Sequence, residues 1–222
     1  MTAPALALLI AMLLDQKATV AQRNDACFAL RGNRIPETVA ALRKALGDSA
    51  VRACAARDLR EVDAVDALLD ALGGLEADIR ITAARELGEL RDPKALDALG
   101  AAALDRNPLL SAAAIGALAE YKDKAALPLL LRAGALEQAA RFHDPAVLPM
   151  ARRALAESDV AAKLIAMSVL ADLGDASDLP ELREIAAKSE PLESRGRGFG
   201  FMPVIDLARA ARNTMASIEA RK

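Results

Sequence analysis

The stretch that decides the fold is Val51–Leu59, which reads VRACAARDL. It returns 28 residues later as Ile79–Leu87, IRITAAREL, and its apolar pattern returns once more in Leu110–Leu118. Numbered from the first residue of each copy, apolar side chains occupy positions 0, 4, 5, 8 and 11. This spacing puts them on one face of an α-helix, which turns about 100° per residue. A period of about 30 residues is typical of stacked helical repeats.

Each of these helices follows another helix that has its own apolar stripe, such as Val65, Leu68 and Leu72. Short turns join the two, and Asp-Pro at Asp92 and Asp144 begins two further first helices, since Pro suits the first helical turn. About seven helix pairs are predicted, and they begin near Pro4, Pro36, Asp63, Asp92, Asp123, Asp144 and Asp175. We therefore expect an all-α solenoid of about seven stacked antiparallel helix pairs, forming a single domain over residues 1–222.

The composition supports helices that pack closely. Hydrophobic residues make up 54% of the chain but aromatic residues only 2%, so the apolar content is chiefly Ala and Leu, which are strong helix formers. No stretch alternates Val, Ile and Thr with polar residues, and we therefore expect no sheet. The net charge of −2 gives no general footprint for nucleic acid or an anionic membrane.

Compartment is inferred from the N-terminus and the cysteines. The apolar stretch Met1–Leu14 has no basic residue before it, so we expect a first core helix rather than a signal peptide. No apolar run reaches the roughly 18 residues of a membrane span. Cys27 and Cys54 lie on Ala-rich helical segments and are expected to be buried free thiols in a reducing compartment. These features predict a cytoplasmic protein.

The segment Ala45–Asp48, followed by Val51-Arg52, Ala55-Ala56 and Leu59, resembles the HEAT-like repeat of bacterial proteins, including bilin-lyase relatives. Ile79–Gly88 is similar to the same repeat, and the pattern covers nearly the whole chain. The resemblance implies a right-handed stack whose curved surface is lined by the second helix of each pair. It also implies that Arg52 and Arg80, at the motif's Arg position, brace neighbouring turns.

The exposed face of the second helices carries charges at two positions. Position 6 holds Arg57 and Arg85, and position 10 holds Glu61, Glu89, Glu120 and Asp172. One interpretation is ion pairing within each helix, Arg57 with Glu61 and Arg85 with Glu89. The other is a charge-patterned groove for a partner's peptide or helix. The small residues Ala112, Gly116 and Ala119 on the same face would leave room for such a partner.

Residues 189–203 form an insertion in the seventh pair, and loops of this length are usually functional or disordered. The insertion contains Arg195, Arg197, Phe199 and Phe201 among glycines. Three interpretations stay open: a cap in which the two Phe side chains tuck under the last pair, a partner-binding loop, and a nucleic-acid or phosphate site. The last rests on the ability of guanidinium and aromatic groups to stack on bases.

A single histidine limits the possible chemistry. His143 is expected to make a local cap or turn hydrogen bond, and one histidine cannot build a His-metal cluster, so we expect no metal or cofactor. Resemblance to the HEAT-like hydroxylases that bind two irons would require several His-Glu pairs, which a chain with one histidine lacks. Resemblance to the HEAT-like DNA glycosylases would require a basic cleft with Trp and Tyr side chains, whereas this chain has no Trp and one Tyr. The bilin-lyase relatives, which often act as paired subunits, stay open as the enzyme alternative. The prediction is a non-catalytic scaffold that binds a protein or peptide on its concave surface.

Overall fold

The computed structural model of this chain describes residues 2–188 and 206–221. Every regular element in these two ranges is helical, as predicted. The described chain forms two compact units, Met1–Ala133 and Gly134–Lys222. The α-helices of the first unit are α1 (Ala3–Leu14), α2 (Val20–Ala29), α3 (Pro36–Ala45), α4 (Arg52–Glu61), α5 (Val65–Leu72), α6 (Ala77–Leu90), α7 (Leu96–Ala102), α8 (Pro108–Glu120) and α9 (Ala126–Arg132). Those of the second unit are α10 (Leu136–Ala140), α11 (Leu148–Ala156), α12 (Val160–Leu173), α13 (Leu179–Lys188) and α14 (Leu207–Ala220).

The helices form stacked pairs, in the manner of an α-solenoid. In the first unit α1 packs on α2, α3 on α4, α5 on α6, and α7 on α8, and the second helices α2, α4, α6 and α8 contact one another in turn. In the second unit α11 packs on α12 and α13 on α14, while α12 also contacts α10 and α14. The helix order matches the predicted seven pairs, with α9 in the first unit and α10 in the second.

The Asp-Pro sequences begin first helices as predicted, through a short 3₁₀ turn. The Asp92 carboxylate accepts a hydrogen bond from the backbone N–H of Lys94 at 2.9 Å, and the 3₁₀ turn Pro93–Ala95 leads directly into α7. Asp144 accepts from the backbone N–H of Ala146 at 3.0 Å in the same way before α11. Both carboxylates satisfy backbone donors that the start of a helix leaves unpaired.

The predicted apolar face of the second helices is buried. Ala55, Ala56 and Leu59 of α4 are fully buried, and Ala84 and Leu87 of α6 are equally buried. Within these helices, the alanines allow neighbouring backbones to approach closely, so that packing does not depend on large aromatic side chains.

The helical period puts position 9 on the exposed face, together with positions 6 and 10, but Gly88, at position 9 of α6, is buried. A Cβ atom added to Gly88 would lie 2.6 Å from the Cα atom of Ala117. The backbones of α6 and α8 therefore approach so closely at this point that only glycine fits without a shift of one helix.

The Arg position of the repeat has the structural role that the resemblance implies. Nε of Arg52 donates to the Leu46 carbonyl oxygen at 2.8 Å, and Nε of Arg80 donates to that of Leu72 at 3.0 Å. Each arginine thus satisfies a carbonyl group near the end of the first helix of its own pair. Its guanidinium also reaches an aspartate of the following pair, as in the 2.8 Å contact of Arg80 with Asp105.

Arg23 of α2 is a third member of this series. Its Nε donates to the Leu13 carbonyl oxygen at 3.0 Å and its Nη2 to the Asp48 carboxylate at 2.7 Å. Only 4% of Arg23 is exposed, so its charge depends on these two partners. The first helix pair is therefore tied to the second in the same way as the third is to the fourth.

The prediction of free thiols is wrong. Cys27 on α2 and Cys54 on α4 form a disulfide bond with a sequence separation of 27 residues. Residues separated by about one repeat lie side by side on neighbouring second helices, which is why two cysteines that are distant in sequence meet. The expectation of a cytoplasmic protein loses the support of free thiols, because disulfides persist chiefly in oxidising compartments.

The N-terminal stretch forms a helix, as expected, but most of it is not core. Leu13 is the one fully buried residue of α1, and 67% of Leu8 is exposed. None of the helices within residues 2–188 and 206–221 combines the length and the apolar character needed to cross a membrane.

Candidate partner-binding groove

The exposed faces of α6 and α8 enclose an open groove of about 410 Å³. Its lining residues are Arg85 and Glu89 from α6 and Leu109, Ala112, Ala113, Gly116, Ala117 and Glu120 from α8. We call this feature the α6–α8 groove. It contains three of the predicted site residues, Arg85, Glu89 and Glu120. Of the three small residues expected to leave room for a partner, Ala112 and Gly116 line the groove and Ala119 does not.

Gly116 faces open space in the groove. A Cβ atom added there would have no neighbour within 4 Å, and its backbone is not in the left-handed region that favours glycine. Glycine inside a helix costs about 0.5–1 kcal/mol relative to alanine. Neither packing nor backbone geometry accounts for glycine at this position, in contrast to Gly88 on the facing helix.

An exposed apolar side chain lies at one end of the groove. Leu109, in the first turn of α8, is 67% exposed. The sequence pattern did not single it out, because an apolar residue beside the buried Leu110 looks like part of the core stripe. The groove therefore offers a partner an apolar contact as well as charged groups.

Ion pairs of the acidic row run between helix pairs and not within a helix. The Arg31 guanidinium, beyond the end of α2, binds the Glu61 carboxylate of α4. Arg60 lies 3.8 Å from Glu89, and Arg91 lies 3.3 Å from Glu120. The predicted pairing of Arg57 with Glu61 and of Arg85 with Glu89 is therefore wrong: among the described residues, no such pair forms. The hydrogen bond from Arg31 lowers the pKa of Glu61.

This pairing leaves two arginines of position 6 without an ion-pair partner. Within the described part of the chain, neither Arg57 nor Arg85 makes an ion pair or a side-chain hydrogen bond. Arg85 is exposed on the wall of the α6–α8 groove, while Arg57 is half-buried on α4. Arg60 is shared between Glu86 at 3.3 Å and Glu89 at 3.8 Å, and Arg91 pairs with Glu120. Arg85 is therefore the one charged residue of the groove lining without an ion-pair partner in the described chain.

Asp172 has a different role from the other predicted site residues. It lies in the second unit, on α12, and its Oδ2 is 2.5 Å from Nδ1 of His143. The expected local turn hydrogen bond is made by the backbone N–H of His143, which donates to the Ala140 carbonyl oxygen at 3.1 Å. The side chain instead has a partner 29 residues away. The short helix α10 ends at Ala140, and His143 has a φ of 48° in the turn that follows, where it is exposed.

The insertion at 189–203, with Arg195, Arg197, Phe199 and Phe201, lies outside the described residues.

The partners of the acidic row could have been found from the sequence. Arg31, Arg60 and Arg91 follow one another at intervals of 29 and 31 residues, which is the repeat period. Aligning the basic residues by repeat, in addition to the apolar ones, would have placed each beside the next acidic position.

Comparison with known proteins agrees with this geometry. Residues 65–135, which include α6 and α8, match the family model for HEAT repeats. The α6–α8 groove therefore lies within the part of the chain that matches HEAT repeats. A search of the curated proteins gives no match to this sequence.

Solved structures similar to this chain include proteins of different kinds. The complex of CpcE and CpcF of phycocyanin lyase from Nostoc sp. PCC7120 is 23% identical, with 96% of this chain and 94% of that chain covered and a TM-score of 0.41. Human deoxyhypusine hydroxylase is 17% identical over 98% and 96% of the two chains, with a TM-score of 0.39. An engineered protein is 16% identical over 97% of each chain, with a TM-score of 0.37. HEAT repeats occur on chains of unrelated function, so such similarity carries no functional conclusion.

Proposed function

We propose that this chain is a non-catalytic interaction module whose HEAT repeats bind an acidic segment of a partner protein in the α6–α8 groove. The observation that carries the proposal is Gly116, an exposed helical glycine that lines the groove and faces open space. A residue that lowers helix stability with no local packing reason is explained if a partner's backbone or side chain occupies the space above it.

The preference for an acidic segment comes from the charges. Glu120 pairs with Arg91, and Glu89 shares Arg60 with Glu86, whereas Arg85 has no ion-pair partner in the described chain. A carboxylate of the bound segment would form an ion pair with Arg85, and guanidinium–carboxylate contacts add orientation as well as binding energy. Complementary charge of this kind speeds association and selects partners more than it adds affinity.

The apolar part of the interface is expected at Leu109 and over the small residues of α8. Leu109 provides exposed apolar area, and the alanines beside Gly116 allow a close approach of a helix or an extended chain. The groove takes a few side chains at most, so a binding segment is a more fitting partner than a buried small molecule.

The test is affinity capture from the native cell with matched variants, followed by quantitative mass spectrometry. Gly116→Phe fills the groove, and Arg85→Glu reverses the charge of the unpaired arginine. Both positions are exposed, so neither change should prevent folding. Ala101→Phe and Lys94→Glu make the same changes at exposed positions of the first-helix side, on α7 and just before it.

A partner that binds in the groove is depleted at least about tenfold by either groove variant, which corresponds to the 1–2 kcal/mol or more typical of interface hot spots. The same partner is retained by Ala101→Phe and Lys94→Glu. The proposal is wrong if every captured protein is still captured in the same amount by both groove variants. It is also wrong if the two control variants deplete the partner as strongly as the groove variants do.

A further inference from the structure

A buried carboxyl group lies against the disulfide of the first two helix pairs. Asp58 and Cys54 are one turn apart on α4, and Cys27 faces them from α2. Oδ2 of Asp58 is 3.5 Å from Sγ of Cys27 and 3.9 Å from Sγ of Cys54. All three residues are buried, with 1% of Asp58, 0% of Cys27 and 5% of Cys54 exposed.

The carboxyl group has no suitable donor in the disulfide form. Sulfur atoms in a disulfide carry no proton to donate, and among the described residues no N–H or O–H donates to the Asp58 side chain. A buried carboxylate without donors is costly. Burial, and secondarily the charge of Glu61, raise the pKa of Asp58 to about 6, against the smaller opposing effects of Arg31 and Arg57. A disulfide with only a structural role needs no carboxyl group beside it.

The reduced form removes this conflict. Each thiol has an S–H group that can donate to the Asp58 carboxylate, and hydrogen bonds to the charged form of an acid lower its pKa. Asp58 therefore holds its proton more tightly beside the disulfide than beside the two thiols. By linkage, the equilibrium constant for the two-electron reduction of the cysteine pair therefore depends on the protonation state of Asp58.

We propose that Cys27, Cys54 and Asp58 form a proton-coupled thiol–disulfide site that responds to dithiol reductants. One thiolate of the dithiol attacks a cysteine sulfur, and the S–S bond breaks as the leaving sulfur takes the proton of Asp58. The second dithiol sulfur then displaces the other cysteine, which leaves two protein thiols, an oxidised dithiol and the Asp58 carboxylate. When Asp58 starts protonated, the dithiol supplies two protons, Asp58 supplies one, the two thiols take up two, and one proton is released.

Equilibrium with reduced and oxidised dithiothreitol at a fixed ratio tests this site. The buried sulfurs make the exchange slow, so the equilibrium and not the rate is measured, by trapping free thiols at pH values from 5 to 7.5. We expect the equilibrium constant for reduction to fall about tenfold from pH 7 to pH 5, as Asp58 becomes protonated beside the disulfide. Asp58→Asn should make the constant independent of pH over this range.

Glu86→Gln is the matched control. Glu86 is also a partly buried carboxyl group whose pKa is raised, chiefly by burial, but it is not among the contacts of either cysteine. This variant should keep the pH dependence of the wild type. A wild-type constant that does not change with pH, or an Asp58→Asn variant that keeps the change, overturns the proposal.

Two further measurements on the wild-type chain test the proposal if Asp58→Asn does not fold. Carbon-13 NMR of the wild-type carboxyl groups should give a lower Asp58 pKa in the reduced chain than in the oxidised chain, and equal values contradict the coupling. Zinc alone, added to the reduced chain, tests the other chemistry of this cluster, whose ligand atoms lie within 4.8 Å of one another. Tight binding of one zinc ion per chain that blocks reoxidation would overturn the redox assignment.

Discussion

The guanidinium of Arg31 binds the carboxylate of Glu61 across the boundary between the first and second helix pairs. Arg91 binds Glu120 in the same sense between the third and fourth. These ion pairs join neighbouring second helices along their exposed face. Because Glu61 and Glu89 take their cations from the preceding pair, Arg57 and Arg85, one turn earlier on the same helices, are left for other contacts.

The two glycines between α6 and α8 should respond in opposite directions to alanine. Gly88→Ala places a Cβ atom 2.6 Å from the Cα of Ala117, and the resulting separation of the helices should cost about 1–3 kcal/mol. Gly116→Ala meets no neighbour and should raise stability by about 0.5–1 kcal/mol. Urea unfolding of both variants measures the difference. If Gly88→Ala unfolds at the same urea concentration as the wild type, the close approach is wrong.

Removal of the carboxylate that pairs with Arg23 should be strongly destabilising. Asp48→Asn leaves the Arg23 guanidinium, of which 5% of the side chain is exposed, without its counter-ion, and should cost about 3 kcal/mol. Asp105→Asn is the matched comparison, since Arg80 is 25% exposed and water can replace part of the lost interaction. Thermal unfolding should therefore show a smaller loss for Asp105→Asn, and equal losses would contradict the role of burial.

The pH dependence of the same contact has a definite sign. Hydrogen bonds from Gln16, from the backbone N–H of Ala50 and from Arg23 lower the pKa of Asp48 to about 2. A folded-state pKa below the unfolded value of 3.8 gives stability that is present above about pH 4 and is lost as pH falls toward 2. Asp48→Asn should lose this part of the acid sensitivity, which unfolding measured between pH 2 and pH 5 will show.

Asp58 should produce the opposite dependence at higher pH. Its folded-state pKa of about 6, raised chiefly by burial, exceeds the unfolded value of 3.8. Between pH 4 and pH 6 the folded chain then holds a proton that the unfolded chain has lost, so stability falls as pH rises, by about 2–3 kcal/mol in all. Unfolding of the disulfide form at pH 4.5 and pH 7.5 measures this loss. In Asp58→Asn the fall in stability over the same interval should be smaller than in the wild type by this amount.

Overpacking tests the assignment of the buried face. Ala84, on α6, is fully buried, and Ala84→Leu should cost about 1–3 kcal/mol. Ala112→Leu makes the same change on the exposed face of α8 and should alter stability by no more than about 0.5 kcal/mol. The two melting temperatures are compared, and similar values would contradict the assignment of Ala84 to the buried face and of Ala112 to the exposed face.

The sequence predicts the helix pairs well because their signal is local. Apolar positions such as Ala55, Ala56 and Leu59 lie within three turns of one helix, and the period of the α-helix alone decides which face they share. The aspartates before Pro93 and Pro145 act within two residues, so the starts of these first helices are equally local.

The contacts of the candidate site depend on neighbours about one repeat away, which helical period does not describe. The helical period pairs Glu61 with Arg57, because both lie on α4, yet the long side chain of Arg31 reaches Glu61 from beyond the end of α2. For Cys27 and Cys54, an Ala-rich face accommodates a thiol and a disulfide equally well, so the helical period cannot distinguish the two states. Only the stacking of α2 on α4 brings the two sulfur atoms together.

Site-specific photo-crosslinking in the native cell tests the central claim most directly. A photoreactive amino acid is placed at Ala112, in the α6–α8 groove, or at Ala101, on the exposed side of α7. We predict that position 112 crosslinks to a discrete partner protein, that Arg85→Glu in the same chain abolishes this product, and that position 101 does not give it. A product that forms equally at both positions, or that persists at position 112 with Arg85→Glu, would contradict partner binding in this groove.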